Sequence, residues 1–163
     1  MYARIPLADA GDPGRSGATT FTNPRATTSL GGRTITIQAV HTSPPVPARA
    51  RAWRADLRVI GDALAATPGP LVALGDYNAS RDHAGFRRLL SSGRVRDAHD
   101  TRGSGLVRTW PANRSWRPPP LVHLDHVLVS DHFAVLATRE PTLPGSDHHA
   151  VVADLALRTT APG

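Results

Sequence analysis

Short apolar runs that each meet a small polar cluster constrain this chain more than any other feature. Leu71-Val72-Ala73-Leu74 runs into Gly75-Asp76-Tyr77-Asn78-Ala79-Ser80, and the alternating stretch Arg33–Val40 ends at His41. Leu124-Asp125-His126-Val127-Leu128-Val129-Ser130 carries a carboxylate and an imidazole at its head, and Gly145-Ser146-Asp147-His148-His149 precedes another apolar run. Short apolar or alternating runs bounded by turn residues predict strands. Polar groups collected at strand ends are where α/β sheets place their chemistry.

Between these strands the spacing changes. Ala50, Trp53, Leu57, Ile60 and Leu64 recur at three and four residues, which predicts an amphipathic helix over 48–66. Trp53 belongs to its core face, and Arg49, Arg51, Asp56 and Asp62 are expected to turn away from it. Pro44, Pro45 and Pro47 stop the preceding strand, and Pro47 suits a first helical turn. A second short helix is expected at 83–90, closed by Ser91-Ser92-Gly93. Residues 7–31, rich in Gly, Pro, Thr and Asp, predict loop with at most a short strand near Ala18–Phe21. The stretch 97–120 predicts a long irregular loop holding Trp110 and Trp116. Strands follow at 121–129, 133–138 and 150–157. The expected order is β-α-β-α-loop-β-β-β, in an irregular segment 1–32, a domain 33–157 and a tail 158–163.

At 163 residues the chain is one domain or part of one. It has no Cys, which excludes disulfides and thiolate metal sites. All nineteen basic residues are Arg, and the net charge is +6. That balance suits a polyanionic partner such as nucleic acid, and equally a basic surface with Arg-rich coding bias. There is no apolar run of membrane-spanning length and no secretory h-region at the start. Read as it stands, the chain is expected to be cytoplasmic, and membrane-attached or exported if a further segment precedes it.

The clusters supply carboxylates, an amide and imidazoles without thiols. Hydrolysis of a phosphodiester asks for oxygen ligands to a hard cation, positive donors at the phosphoryl oxygens and a base or orienting carboxylate for water. Asp76 and Asn78 fit a water-holding and a phosphate-facing role if both point the same way from extended backbone, and an Asx turn is the other reading. Asp147 suits a metal and His148 a phosphate. Asp125, in mid-run, needs a partner if buried, and His148 would serve. His126, the next residue, faces the opposite side as a satisfied histidine or a functional one. His41 sits at a strand tip. Asp97, His99 and Asp100 either form a second metal cluster or share an ordinary turn-rich loop.

Taken together, His41, Gly75-Asp76-Tyr77-Asn78-Ala79, Leu124–Ser130 and Gly145–His148 resemble the endonuclease/exonuclease/phosphatase superfamily, the DNase-I-like fold, over roughly 33–157. Arg96-Asp97-Ala98 and Thr109-Trp110-Pro111 resemble connecting segments of its bacterial members. The resemblance implies an α/β (α+β) four-layer sandwich, here mainly its C-terminal half with an incomplete two-sheet core. It implies a Mg²⁺-dependent phosphoesterase, with Mn²⁺ as an alternative ion and a phosphodiester or phosphomonoester substrate, nucleic acid included. Catalytic roles would fall to His41, Asp76, Asn78, Asp125 and His148, and the metal to Asp147. Two departures stand out. Ala150 occupies a place where the family has Pro. The family's early strands, one with an Asn and one with a metal-binding Glu, have no counterpart, and the only Glu here is Glu140. The alternative reading is a non-catalytic remnant acting as a basic nucleic-acid- or partner-binding fragment.

Overall fold

A computed structural model describes residues 1–12, 17–104, 106–112 and 119–159. Trp116 and the end of the expected tail lie outside them. The elements are β1 (Ala8–Asp9), β2 (Arg25–Leu30), β3 (Arg33–His41), α1 (Ala50–Ala65), β4 (Leu71–Asp76), α2 (Ala84–Ser92), β5 (Val95–Asp97), α3 (Ala98–Thr101), β6 (Asp125–Ser130), β7 (Phe133–Arg139) and β8 (Val152–Leu157). Six strands form one sheet in the order β1-β2-β3-β4-β6-β5, and β7 pairs with β8 in a second.

The predicted periodicities hold where apolar side chains face one another. On one side of the six-stranded sheet, Trp53, Leu57, Ile60 and Leu64 of α1 and Phe86 and Leu89 of α2 pack over Val40, Leu71, Ala73, Val95 and Leu128. Leu57, Ile60 and Leu64 are each exposed by no more than 2%, and full burial of such a side chain contributes roughly 1.5–3 kcal/mol. Ile35, Val127 and Val129, on the opposite side, meet Phe133, Val135, Leu155 and Leu157 of the β7–β8 pair. The described residues thus build three layers: helices, large sheet and a two-stranded second sheet. The second sheet covers only part of that face. Ile37, Val72 and Leu74 line an open apolar groove of about 570 Å³ with Met1, Tyr2 and Ile5.

Four expectations are corrected. The early strand lies at Arg25–Leu30, not near Ala18–Phe21, because β3 gives it a complete antiparallel partner from Arg25↔Gln38 to Leu30↔Arg33. Part of the loop 97–120 is ordered by its neighbours: β5 pairs with β6 and runs into α3, capped by Asp97 accepting from the His99 N–H. Strands β6 and β8 begin later than expected, at Asp125 and Val152. Asp56 of α1 is not turned to solvent. Its carboxylate is 2% exposed and accepts from Ser43 N at 2.8 Å and Thr20 N at 2.9 Å.

Gly75 fixes how closely β3 and β4 approach. A Cβ there would stand 1.9 Å from Val40 O, and its φ is +142°. Only glycine accepts both conditions.

Candidate functional site

Register assembles the site. β3 and β4 are parallel with His41 opposite Asp76, and β4 and β6 are antiparallel with Asp76 opposite Asp125. Paired residues point to the same face of a sheet. His41, Asp76 and Asp125 therefore form a row across three strands, on the side shared with β7–β8. The segment between β7 and β8 then brings in His148, whose Nδ1 lies 2.7 Å from Asp125 Oδ2. His41 Nε2 stands 4.0 Å from Asp76 Oδ2. One ligand atom from each of Asp76, Asp125 and His148 lies within 4.8 Å of the others.

The side chains are wet enough to meet a substrate and held well enough to be aimed. His41 is 54% exposed, His148 26%, Asp76 21% and Asp125 17%. The His41 ring stacks on Phe21 at 4.3 Å, and its backbone N–H donates to Oδ1 of the buried Asn23 at 2.8 Å. Burial pushes the Asp76 carboxyl up from its ordinary range; the Asn78 N–H opposes this, and the Asp125 charge adds to it. Two carboxylates side by side on adjacent strands are a donor set for a hard divalent cation, which would relieve that repulsion.

Asn78 differs from expectation. Its φ is +46°, not extended. Its backbone N–H donates to Asp76 Oδ1 at 2.7 Å, and its side-chain Nδ2 donates to Thr42 O at 2.9 Å and Asp76 Oδ2 at 3.2 Å. The Asx turn and the site coexist, and Asn78 orients Asp76. Between them, Tyr77 is fully buried against Phe86 and His126. Asp147, next to His148, is exposed and accepts from Trp110 Nε1 at 3.4 Å.

Sequence reasoning gave no role to Thr109, which braces the site from 109–112. Its buried hydroxyl accepts from Leu124 N at 3.0 Å and Asp125 N at 3.2 Å. Its carbonyl accepts from His149 N at 2.9 Å, and Ala112 N donates to Asp147 O. One short segment thus positions both Asp125 and His148. Its signal in the sequence was Thr109-Trp110-Pro111, quoted only as a likeness.

Behind β6 lies a second group. His126 faces the helix side and is 1% exposed, between Asp97 Oδ2 at 2.5 Å and Ala79 O at 2.8 Å. His99 is buried and bonded through Nε2 to Glu140 Oε1 at 2.6 Å. Burial, reinforced by the neighbouring His126, lowers the His123 pKa to about 4. Asp100 does not join them; it pairs with Arg81. A groove of about 680 Å³ between α1 and α2, lined by Trp53, Arg58 and His83, contains none of the site residues.

A sequence model described as the Endonuclease/Exonuclease/phosphatase family matches residues 2–148. No curated protein matches the chain. Among solved structures, an endonuclease/exonuclease/phosphatase from Beutenbergia cavernae aligns with TM-score 0.68 and 21% identity, over 95% of this chain and 46% of that one. The human Nocturnin catalytic domain with bound sulfate anion aligns with TM-score 0.67 and 19% identity, over 94% and 59%. A mannosyl-6-phosphatase from Bacteroides thetaiotaomicron aligns with TM-score 0.63 and 16% identity, over 85% and 59%. The chain spans about half to three-fifths of the length of these structures. The shared fold is DNase-I-like, with the three layers above as its part in this chain. No helix among the described residues is long and apolar enough to cross a membrane.

Proposed function

Since the chain belongs to the endonuclease/exonuclease/phosphatase family, we propose that its strand-end row hydrolyses a phosphoester by in-line attack of water, the bond from phosphorus to the leaving oxygen breaking opposite the water and that oxygen taking its proton from solvent. The observation that carries this reading is the row itself: His41, Asp76 and Asp125 in register, closed by His148 on Asp125. Asp76 accepts a hydrogen bond from the attacking water and draws off its proton, the role that suits a carboxylate with a raised pKa. Asn78 holds Asp76 in place. Asp125 accepts the Nδ1–H of His148 and aims the ring, so that as imidazolium its Nε2–H donates to a phosphoryl oxygen while negative charge gathers there. His41, across from Asp76, provides a second imidazole at the same oxygens. Asp76 and Asp125, with Asp147 beside His148, would hold Mg²⁺ or Mn²⁺, which supplies charge neutralisation at the phosphoryl group.

The bound sulfate of Nocturnin and the phosphatase name of the Bacteroides protein support a tetrahedral oxyanion as ligand. An Arg-only basic complement with net charge +6 favours a polyanionic substrate, nucleic acid among them. A second reading, a non-catalytic basic fragment, is favoured by one observation: the only Glu of the chain is engaged with His99, away from the row.

Hydrolysis of bis(p-nitrophenyl) phosphate and plasmid DNA with Mg²⁺ tests both. His148→Ala should lower the rate by about 100-fold or more, with the melting temperature nearly unchanged, and EDTA should abolish it. A rate indifferent to both would sink the hydrolase reading, and a folded wild-type chain without activity would favour the fragment.

A further inference from the structure

We propose that Asp97, His123 and His126, with His99 as fourth donor, form a buried site for a first-row transition cation, Zn²⁺ by its donor chemistry. It lies on the face of β6 opposite the strand-end row, and it stands independently of the hydrolytic reading.

Proton placement leads to this conclusion. His126 Nε2 lies 2.8 Å from Ala79 O. A carbonyl oxygen only accepts, so Nε2 carries the proton and Nδ1 of the neutral ring presents a bare lone pair. That Nδ1 faces Asp97 Oδ2 at 2.5 Å. Two acceptors meet, so a positive group belongs with them. His99 Nε2 likewise donates to Glu140 Oε1, which leaves its Nδ1 bare. That nitrogen is fully buried without a hydrogen-bond partner and lies 3.7 Å from Asp97 Oδ1. His123 Nε2 is also enclosed without a partner, and its ring lies 4.1 Å from that of His126 and 4.9 Å from that of His99.

A single shared proton would satisfy His126 and Asp97 and leave the other two nitrogens orphaned. A cation can engage Asp97, His123 and His126 together, with the bare Nδ1 of His99 3.7 Å from Asp97 Oδ1 as the donor next to them. The ligand atoms of Asp97, His123 and His126 lie within 4.8 Å of one another. Tetrahedral Zn²⁺ with bonds near 2.0–2.1 Å sets its ligands about 3.3 Å apart, so these three need only close up slightly, and His99 has to turn further to become the fourth. Imidazoles with one carboxylate suit Zn²⁺ and its neighbours better than Mg²⁺. The arrangement also has the outer support that metal-binding histidines use, since Ala79 O and Glu140 fix the far nitrogens of His126 and His99. Such an ion would tie β5, α3 and β6 together and, through Glu140, reach the segment after β7.

The test strips the full chain with chelator and titrates it with Co²⁺. We expect one equivalent to bind with the strong visible absorption of a four-coordinate ion, displaced by Zn²⁺ and not by Mg²⁺. His99→Gln and His123→Gln should each weaken binding by about 100-fold or more, and His148→Ala should leave it unchanged. Glu140→Gln, which changes a partly exposed side chain and no donor, should weaken it by about 10-fold, so the prediction survives misfolding of a ligand variant. Failure of the wild type to bind a stoichiometric ion, or binding kept in His99→Gln, His123→Gln and Glu140→Gln, would overturn the site. The readout is binding, so a chain without hydrolytic activity decides nothing about it.

Discussion

His148 and Asp125 meet at 2.7 Å between Nδ1 and Oδ2, one from the loop before β8 and the other from the first residue of β6. The carboxylate sets the tautomer of the imidazole, and Thr109 sets the carboxylate. Asp125→Asn keeps the shape but removes the negative charge that balances a doubly protonated ring on Nδ1, so the charged Nε2–H donor at the phosphoryl group is lost. Hydrolysis by an active protein should fall about 100-fold or more with little change in thermal melting. The comparison of rate and melt for the same variant checks it, and an unchanged rate would remove Asp125 from the mechanism.

Asp76 should make stability depend on pH in an unusual direction for a carboxylate. Its folded-state pKa lies above the ordinary 3.8, with burial as the first cause. In the window between those values the folded chain holds more protons than the unfolded one, so this group's contribution falls as pH rises through the window. Asp76→Asn should therefore melt higher than wild type at pH 7, with the difference closing as pH falls below 3.8. Adding a hard divalent cation should raise the wild-type melt and not that of the variant. Paired melts across pH, with and without Mg²⁺, read both effects.

Gly75→Ala should disrupt the sheet at the site. Its Cβ would be 1.9 Å from Val40 O in a backbone with φ +142°, so β3 and β4 would have to part. A loss of about 3 kcal/mol or more is expected in urea unfolding. A wild-type midpoint would mean that the strands can separate locally at no cost.

Asp56→Ala should act on the site from beneath. The carboxylate caps Ser43 N, just after His41-Thr42, and Thr20 N, near the Phe21 that stacks on His41. Removing it leaves the buried Ser43 N–H without an acceptor, for a loss of about 2 kcal/mol. Asp62→Ala, an exposed residue on the same helix, should change the urea midpoint little and serves as the comparison.

The parts of this fold legible in the sequence are those governed by local periodicity. α1 followed from its three-and-four spacing, and β3, β4 and β7 from short apolar or alternating runs. The members of the strand-end row were legible because each lies at the end of such a run. What could not be read depended on distant partners. β2 is rich in Thr and became a strand because β3 completes its hydrogen bonds. Asp56 resembled any solvent-facing helix carboxylate, and the groups that bury it come from two separate loops. His99 and Glu140 are 41 residues apart. Asn78 was expected on extended backbone, and its own bonds to Asp76 turn it into the left-handed region.

Asp125 and His126 are consecutive residues of β6, and each serves a different side of the sheet. A slip of one residue between β6 and β4 would exchange them, carrying the carboxylate beneath the helices and the imidazole to the open face. Both residues would leave their clusters in the same step, so a one-residue slip could keep neither face as it is. The alignment of a single strand thus acts as a built-in proofreading mark: a chain that assembles both clusters has placed each face of β6 on its proper side.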